Sequence, residues 1–84
     1  MSTYSIQQGD YSQINKDIRI SIITAEFNQI FTKQLEEINI KFLESEGFTN
    51  INTYQVPGAF EIPGLANKIL SEKKADLILC FGVV

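Results

Sequence analysis

The segment VPGAFEIPG, residues 56–64, decides the fold, because the hydrophobic period changes across it. Before it, INTYQV reads as a strand over about 51–56. After it, Ile62, Leu65, Ala66, Ile69 and Leu70 recur at helical spacing. Pro57 ends the strand by removing a ladder donor. Gly58 is expected to turn the chain where a side chain would resist. Pro63 fits only the first turn of the helix that follows. Turn chemistry accounts for the prolines and glycines but leaves Ala59, Phe60 and Glu61 open between packing and binding.

Upstream, Ile18, Ile20 and Ile22 alternate and Ile23 extends the apolar run, which predicts a strand over about 18–24. The period then changes. Phe27, Phe31, Leu35, Ile38 and Phe42 step by four, four, three and four, the spacing of one helix face, expected to be its core face. Glu36, Glu37, Lys41 and Glu44 are expected on the solvated side. Asn28 is a candidate cap and Gly47 a natural stop, since left-handed geometry costs glycine little. Residues 1–17 are polar and aperiodic and read as an irregular arm.

Downstream, the second helix ends near SEKKAD, with Lys73 and Lys74 in its last turn, suited to the negative end of the helix dipole. DLILCFGVV, residues 76–84, is the third strand, and its continuous apolar run predicts burial on both faces. The order strand, helix, strand, helix, strand implies right-handed crossovers and an α/β fold with a parallel sheet. The most apolar strand comes last, with nothing after it to cover it. The expectation is therefore residues 18–84 as the first half of an α/β domain, behind the arm at 1–17.

Composition narrows the function. The chain has 84 residues, 44% of them hydrophobic, and a formal net charge of −3. That is one globular domain at most. Its scattered lysines argue against nucleic acid. Cys80 is the only cysteine, so no intrachain disulfide can form, and its apolar setting reads as a buried small hydrophobe rather than a nucleophile. No secretory signal and no membrane-length apolar run is visible, so a cytosolic protein is the default expectation. Histidine, the side chain best suited to proton transfer near neutral pH, is absent. There is no dinucleotide fingerprint, P-loop, metal-ligand spacing or serine triad.

In open parallel sheets, ligands bind beyond the carboxyl ends of the strands. AEFN, PGAFE and GVV meet that condition together. Phe27, on the predicted core face, is by spacing alone more readily a packing residue, but an aromatic at this edge could stack on a flat heterocycle. Asn28 beside it reads as a cap. The amides of Ala59 and Phe60 would lie near a helix N-terminus, where donors are free. Glu61 is either an ordinary first-turn acid or an acceptor for polyol hydroxyls.

ITAEFN followed by FT, then VPGAFEIP, then LILCFGVV, in this order and spacing, resembles the 6,7-dimethyl-8-ribityllumazine synthase family over about residues 19–84. The resemblance implies a flavodoxin-like fold with a four-stranded parallel sheet. It implies condensation of 5-amino-6-(D-ribitylamino)uracil with 3,4-dihydroxy-2-butanone 4-phosphate, without cofactor or metal, in pentamers or icosahedral shells with sites between subunits. Carried onto this sequence, Phe27 would stack on the pyrimidinedione. Ala59, Phe60 and Glu61 would bind the ribitylamino-uracil, with Glu61 accepting from ribityl hydroxyls. Val83 and Val84 would begin the backbone segment that holds the uracil's polar edge. Glu26 stands where the family often has arginine, with little consequence expected. The family's IRG stretch, phosphate loop, acid-base histidine and later phosphate-holding arginine and lysine fall beyond Val84. No catalytic residue is thus expected here, and these 84 residues alone are expected to be inactive and poorly folded.

Overall fold

A computed structural model of the chain describes residues 14–83. Its elements are β1 (Ile20–Ala25), α1 (Gln29–Ser45), β2 (Ile51–Val56), α2 (Ile62–Ser71) and β3 (Leu77–Phe81), with one 3₁₀ turn at Ala59–Glu61 ahead of α2. The three strands are parallel in the order β2-β1-β3. Ile20 lies level with Ile51 on one side and Leu77 on the other, so all three strands start together and point their carboxyl ends the same way. The alternating β and α segments of an α/β fold with flanking helices stand as read. Of the arm at 1–17, only residues 14–17 are described.

β1 is the centre, and all six of its residues are buried. Strand periodicity divides them between two layers. Ile20 and Ile22 pack with Phe48, Ile40 and Leu43 on the α1 side. Ile23 and Ala25 pack with Val56, Ile69 and Ala75, flanked by Leu65 and Ala66, on the α2 side. Each crossover thus places its helix on a different face of one short sheet.

α1 ends as its sequence predicts. Gly47 has φ 93°, its amide donates to the Glu44 carbonyl (3.0 Å), and the Phe48 amide donates back to Leu43 (2.9 Å). This Schellman closure drops Phe48 into the core. The Lys16 ammonium sits 4.3 Å from the centre of the Phe48 ring. α2 ends with the same pattern of bonds, from Lys73 to Leu70 and from Lys74 to Ile69 (both 3.0 Å), but the left-handed position is held by Lys73 at φ 55°. Lys73 and Lys74 therefore follow the last helical turn rather than occupy it, and Lys74 pairs with Glu72 at 2.8 Å.

The orientation of α1 departs from expectation. The stripe Phe31, Leu35, Ile38 and Phe42, with Ile30 beside it, is exposed. The face turned to the sheet carries Thr32 and Glu36, both buried, with Ile40 and Leu43 packed on the core. Glu36, expected in solvent, is only 7% exposed, and its Oε2 has no hydrogen-bond partner. A helix with apolar residues on two sides can turn only one of them to a three-stranded sheet. The Thr32 anchor to β1 fixes which one.

β3 also differs. It lies at the edge of the sheet, with Leu77 42% exposed, and burial on both faces belongs to β1 instead. Cys80, expected inside, is exposed. Partial burial pushes its thiol pKa up, away from the lowered range of nucleophilic cysteines.

Candidate functional site

The parallel register carries three connections to the same edge: residues 26–28 after β1, 57–61 after β2 and 82–83 after β3. Two backbone bonds prolong the pairing of β1 with β2. The Glu26 amide donates to the Val56 carbonyl (2.7 Å) and the Phe27 amide to that of Pro57 (3.2 Å). Phe27 is thereby held beside the PGAFE segment before α1 begins.

Asn28 then turns the chain. It occupies the N-cap position with φ 59° and ψ 51°, and its side chain makes no capping bond. Its contribution is tolerance of left-handed backbone, as a short amide side chain allows. Its carbonyl accepts from Phe31 (3.0 Å) and Thr32 (3.3 Å), starting the helix. The buried Thr32 hydroxyl donates to the Ala25 carbonyl at 2.9 Å and ties that first turn to the end of β1.

The turn Ala59–Glu61 is closed by the Glu61 amide donating to the Gly58 carbonyl (3.1 Å). Gly58 has φ −145° and ψ 168°, an extended conformation open to any residue. The expected need for glycine flexibility is not what the structure requires there. A Cβ at Gly58 would instead stand 3.1 Å from Glu61 Oε2, so the missing side chain leaves room for that carboxylate. The amides of Ala59 and Phe60 have no acceptor among the described residues.

These segments enclose an open cleft of about 390 Å³. Phe27 and Val83 line it together with Ala59, Phe60 and Glu61, and Pro57 and Gly58 complete the wall. Five of the six residues expected from the sequence thus meet in one place; the sixth, Val84, lies outside the described residues. Phe27 is 57% exposed and Phe60 is 88% exposed, so neither serves the core. The packing reading of Phe27 fails for the same reason as that of the α1 stripe. Two accessible rings, free amides and one acidic acceptor suit a flat heterocycle bearing hydroxyls. No cluster of metal-ligating side chains occurs among the described residues. Pro57, which lines the cleft, was read from the sequence only as the end of β2.

The fold is an open α/β domain with a cleft at the carboxyl edge of its sheet, where ligands of such sheets bind. The chain belongs to the 6,7-dimethyl-8-ribityllumazine synthase family, whose sequence pattern matches residues 17–84. It is 42% identical over 65 residues to the 6,7-dimethyl-8-ribityllumazine synthase of Limosilactobacillus reuteri (strain DSM 20016), covering 77% of this chain and 43% of that protein. It is 37% identical over 67 residues to the enzyme of the same name from Thermococcus onnurineus (strain NA1), covering 80% and 44% respectively. The chain therefore spans less than half the length of these relatives.

Proposed function

We propose that this chain carries the ribitylamino-uracil half of a lumazine synthase site and serves riboflavin biosynthesis. The reading rests on one observation above all: the cleft joins Phe27, Ala59, Phe60, Glu61 and Val83 from three connections. In it, Phe27 stacks on the pyrimidinedione, the free amides of Ala59 and Phe60 donate to the ligand, and Glu61 accepts from ribityl hydroxyls. Val83 begins the segment whose backbone holds the polar edge of the uracil. The second substrate, 3,4-dihydroxy-2-butanone 4-phosphate, condenses with the bound amine and leaves phosphate and water. The chain's share of that reaction is positional: it fixes one reactant so that the second meets it in a set geometry. The acid-base histidine that the family resemblance implies is not among these 84 residues. Family membership supports assembly with further copies of the protein and a place in the cytoplasm. No helix among the described residues is long and apolar enough to cross a membrane.

The test is titration of the chain with 6,7-dimethyl-8-ribityllumazine, followed by its own fluorescence. Base–aromatic stacking contributes about 1–3 kcal/mol, so Phe27→Ala should weaken binding by about tenfold or more. Glu61→Gln should weaken the lumazine while leaving a lumazine without the ribityl chain unaffected. Equal affinity in wild type and Phe27→Ala would refute the reading.

A narrower reading is that these residues bind the ring system without turning it over, and the exposed Phe27 and Phe60 rings at the cleft favour it. Lumazine binding without lumazine formation from the two substrates is its signature.

A further inference from the structure

Gly82 directly follows β3, one residue past the last pair of the β1–β3 ladder, Thr24 with Phe81. It is exposed, and its backbone lies outside the left-handed region. Neither burial nor conformation therefore calls for glycine. Space does. A Cβ at this position would stand 2.9 Å from the Ala59 Cβ, 3.2 Å from Ile62 Cδ1 and 3.5 Å from the Ala59 Cα. Carbon atoms rest about 3.5–4.0 Å apart. Ile62 Cδ1 is the far end of a flexible side chain and can swing away. The Ala59 Cβ is fixed to its backbone and cannot.

We infer that Gly82 is a positioning residue, a spacer that seats the Ala59–Glu61 turn against the end of β3 and so sets the width of the ligand cleft. The two segments it holds together both line that cleft, Val83 from one side and Ala59, Phe60 and Glu61 from the other. Phe27 is anchored two residues upstream of that turn, by the hydrogen bond its amide donates to the Pro57 carbonyl, and on its other side by the first turn of α1, which Thr32 ties to Ala25. A methyl at residue 82 must therefore push the turn away from β3 while the Phe27 ring stays in place. The amides of Ala59 and Phe60 and the Glu61 carboxylate then lose their alignment with the ring. The contact is one-to-one: removing the Ala59 methyl restores the space that Gly82→Ala takes away. The spacing follows from geometry alone; its consequence for binding rests on the function proposed above.

The test is a double-mutant cycle at residues 59 and 82 on the ¹⁵N-labelled chain, held folded with trimethylamine N-oxide. In Gly82→Ala, the amide signals of residues 58–62 and 83 should move while those of the β1–β2 ladder stay. In the Ala59→Gly background, the same substitution should leave them nearly still. Affinity for 6,7-dimethyl-8-ribityllumazine should fall about tenfold on Gly82→Ala in the wild-type background and less than about twofold in the Ala59→Gly background. Unmoved amides in Gly82→Ala would overturn the inference. So would an undiminished effect in the Ala59→Gly background, including loss of folding in both variants. If no form binds lumazine yet the amides follow the cycle, the spacer role stands and the ligand reading falls.

Discussion

The buried Thr32 hydroxyl donates to the Ala25 carbonyl at 2.9 Å, joining the first turn of α1 to the last residue of the central strand. Only Glu26, Phe27 and Asn28 lie between Ala25 and the helix, so this bond and the Phe27–Pro57 bond clamp the aromatic from both sides. Thr32→Val keeps the shape and removes the donor, leaving a carbonyl in a buried place without its partner. The expected cost is about 1–2 kcal/mol of stability, measured by urea unfolding. Thr32→Ser keeps the bond and should recover much of that loss. A Thr32→Val chain as stable as wild type would show that the bond does not hold α1.

At the opposite edge of the sheet, Arg19 and Asp76 join the start of β1 to the approach to β3. The Arg19 amide donates to Asp76 Oδ2 (2.8 Å), its guanidinium meets Asp76 Oδ1 (3.2 Å), and the Asp76 amide donates back to the Arg19 carbonyl (2.8 Å). Bonding to the Arg19 side chain, then to its amide, lowers the Asp76 pKa below its ordinary 3.8. A carboxyl lowered by folding adds stability that is present above its ordinary value and disappears as the pH falls through the folded value. Both side chains are about half exposed, so the contribution is small and weakened by salt. Asp76→Asn should therefore unfold at lower urea than wild type near pH 6, and the gap should close toward pH 3. A gap that widened on acidification would contradict the assignment.

The exposed side of α1 shows what the sequence made legible and what it concealed. Helix, period and stop were readable, because Phe27, Phe31, Leu35, Ile38 and Phe42 keep helical spacing and Gly47 closes the turn. Which face met the sheet was not. Thr32 and Glu36 look like solvent residues until Thr32 finds the Ala25 carbonyl, a contact seven residues away that no hydrophobic period encodes. The central position of β1 was hidden for a similar reason. β3 has the longer apolar run, but pairing order, not hydrophobicity, decides which strand lies between two others. The candidate cleft was more legible than the core: Phe27, Ala59, Phe60, Glu61 and Val83 sit at strand ends, and a parallel sheet brings strand ends together whichever strand is central. Gly82 stayed hidden because its role is a distance to Ala59 across the fold.

That exposed side offers on the order of 600 Å² of apolar surface, at the upper end of what monomers tolerate. The chain alone should self-associate and bind a hydrophobic dye. Phe31→Gln with Ile38→Gln should reduce both while changing unfolding stability by less than about 0.5 kcal/mol, as expected for exposed positions. Sizing chromatography and dye fluorescence report the first effect and urea unfolding the second. A loss above about 2 kcal/mol would mean that these side chains belong to the core after all.

Glu36 is the inverse case, a polar side chain on the face that packs. Its Oε2 is buried without a partner against a layer containing Ile20, Ile22 and Leu43. An unsatisfied buried polar atom costs about 1–3 kcal/mol, and a leucine of similar size replaces it with apolar contacts. Glu36→Leu should therefore stabilise the chain by about 1 kcal/mol. Glu36→Gln should gain less, because an amide in the same place still lacks a partner. The comparison separates two explanations. If burial of an unpaired oxygen is the cost, leucine exceeds glutamine and both exceed wild type. If Glu36→Leu is instead less stable than wild type in urea unfolding, the oxygen has a partner in solution, and the inward face of α1 is more polar than this packing indicates.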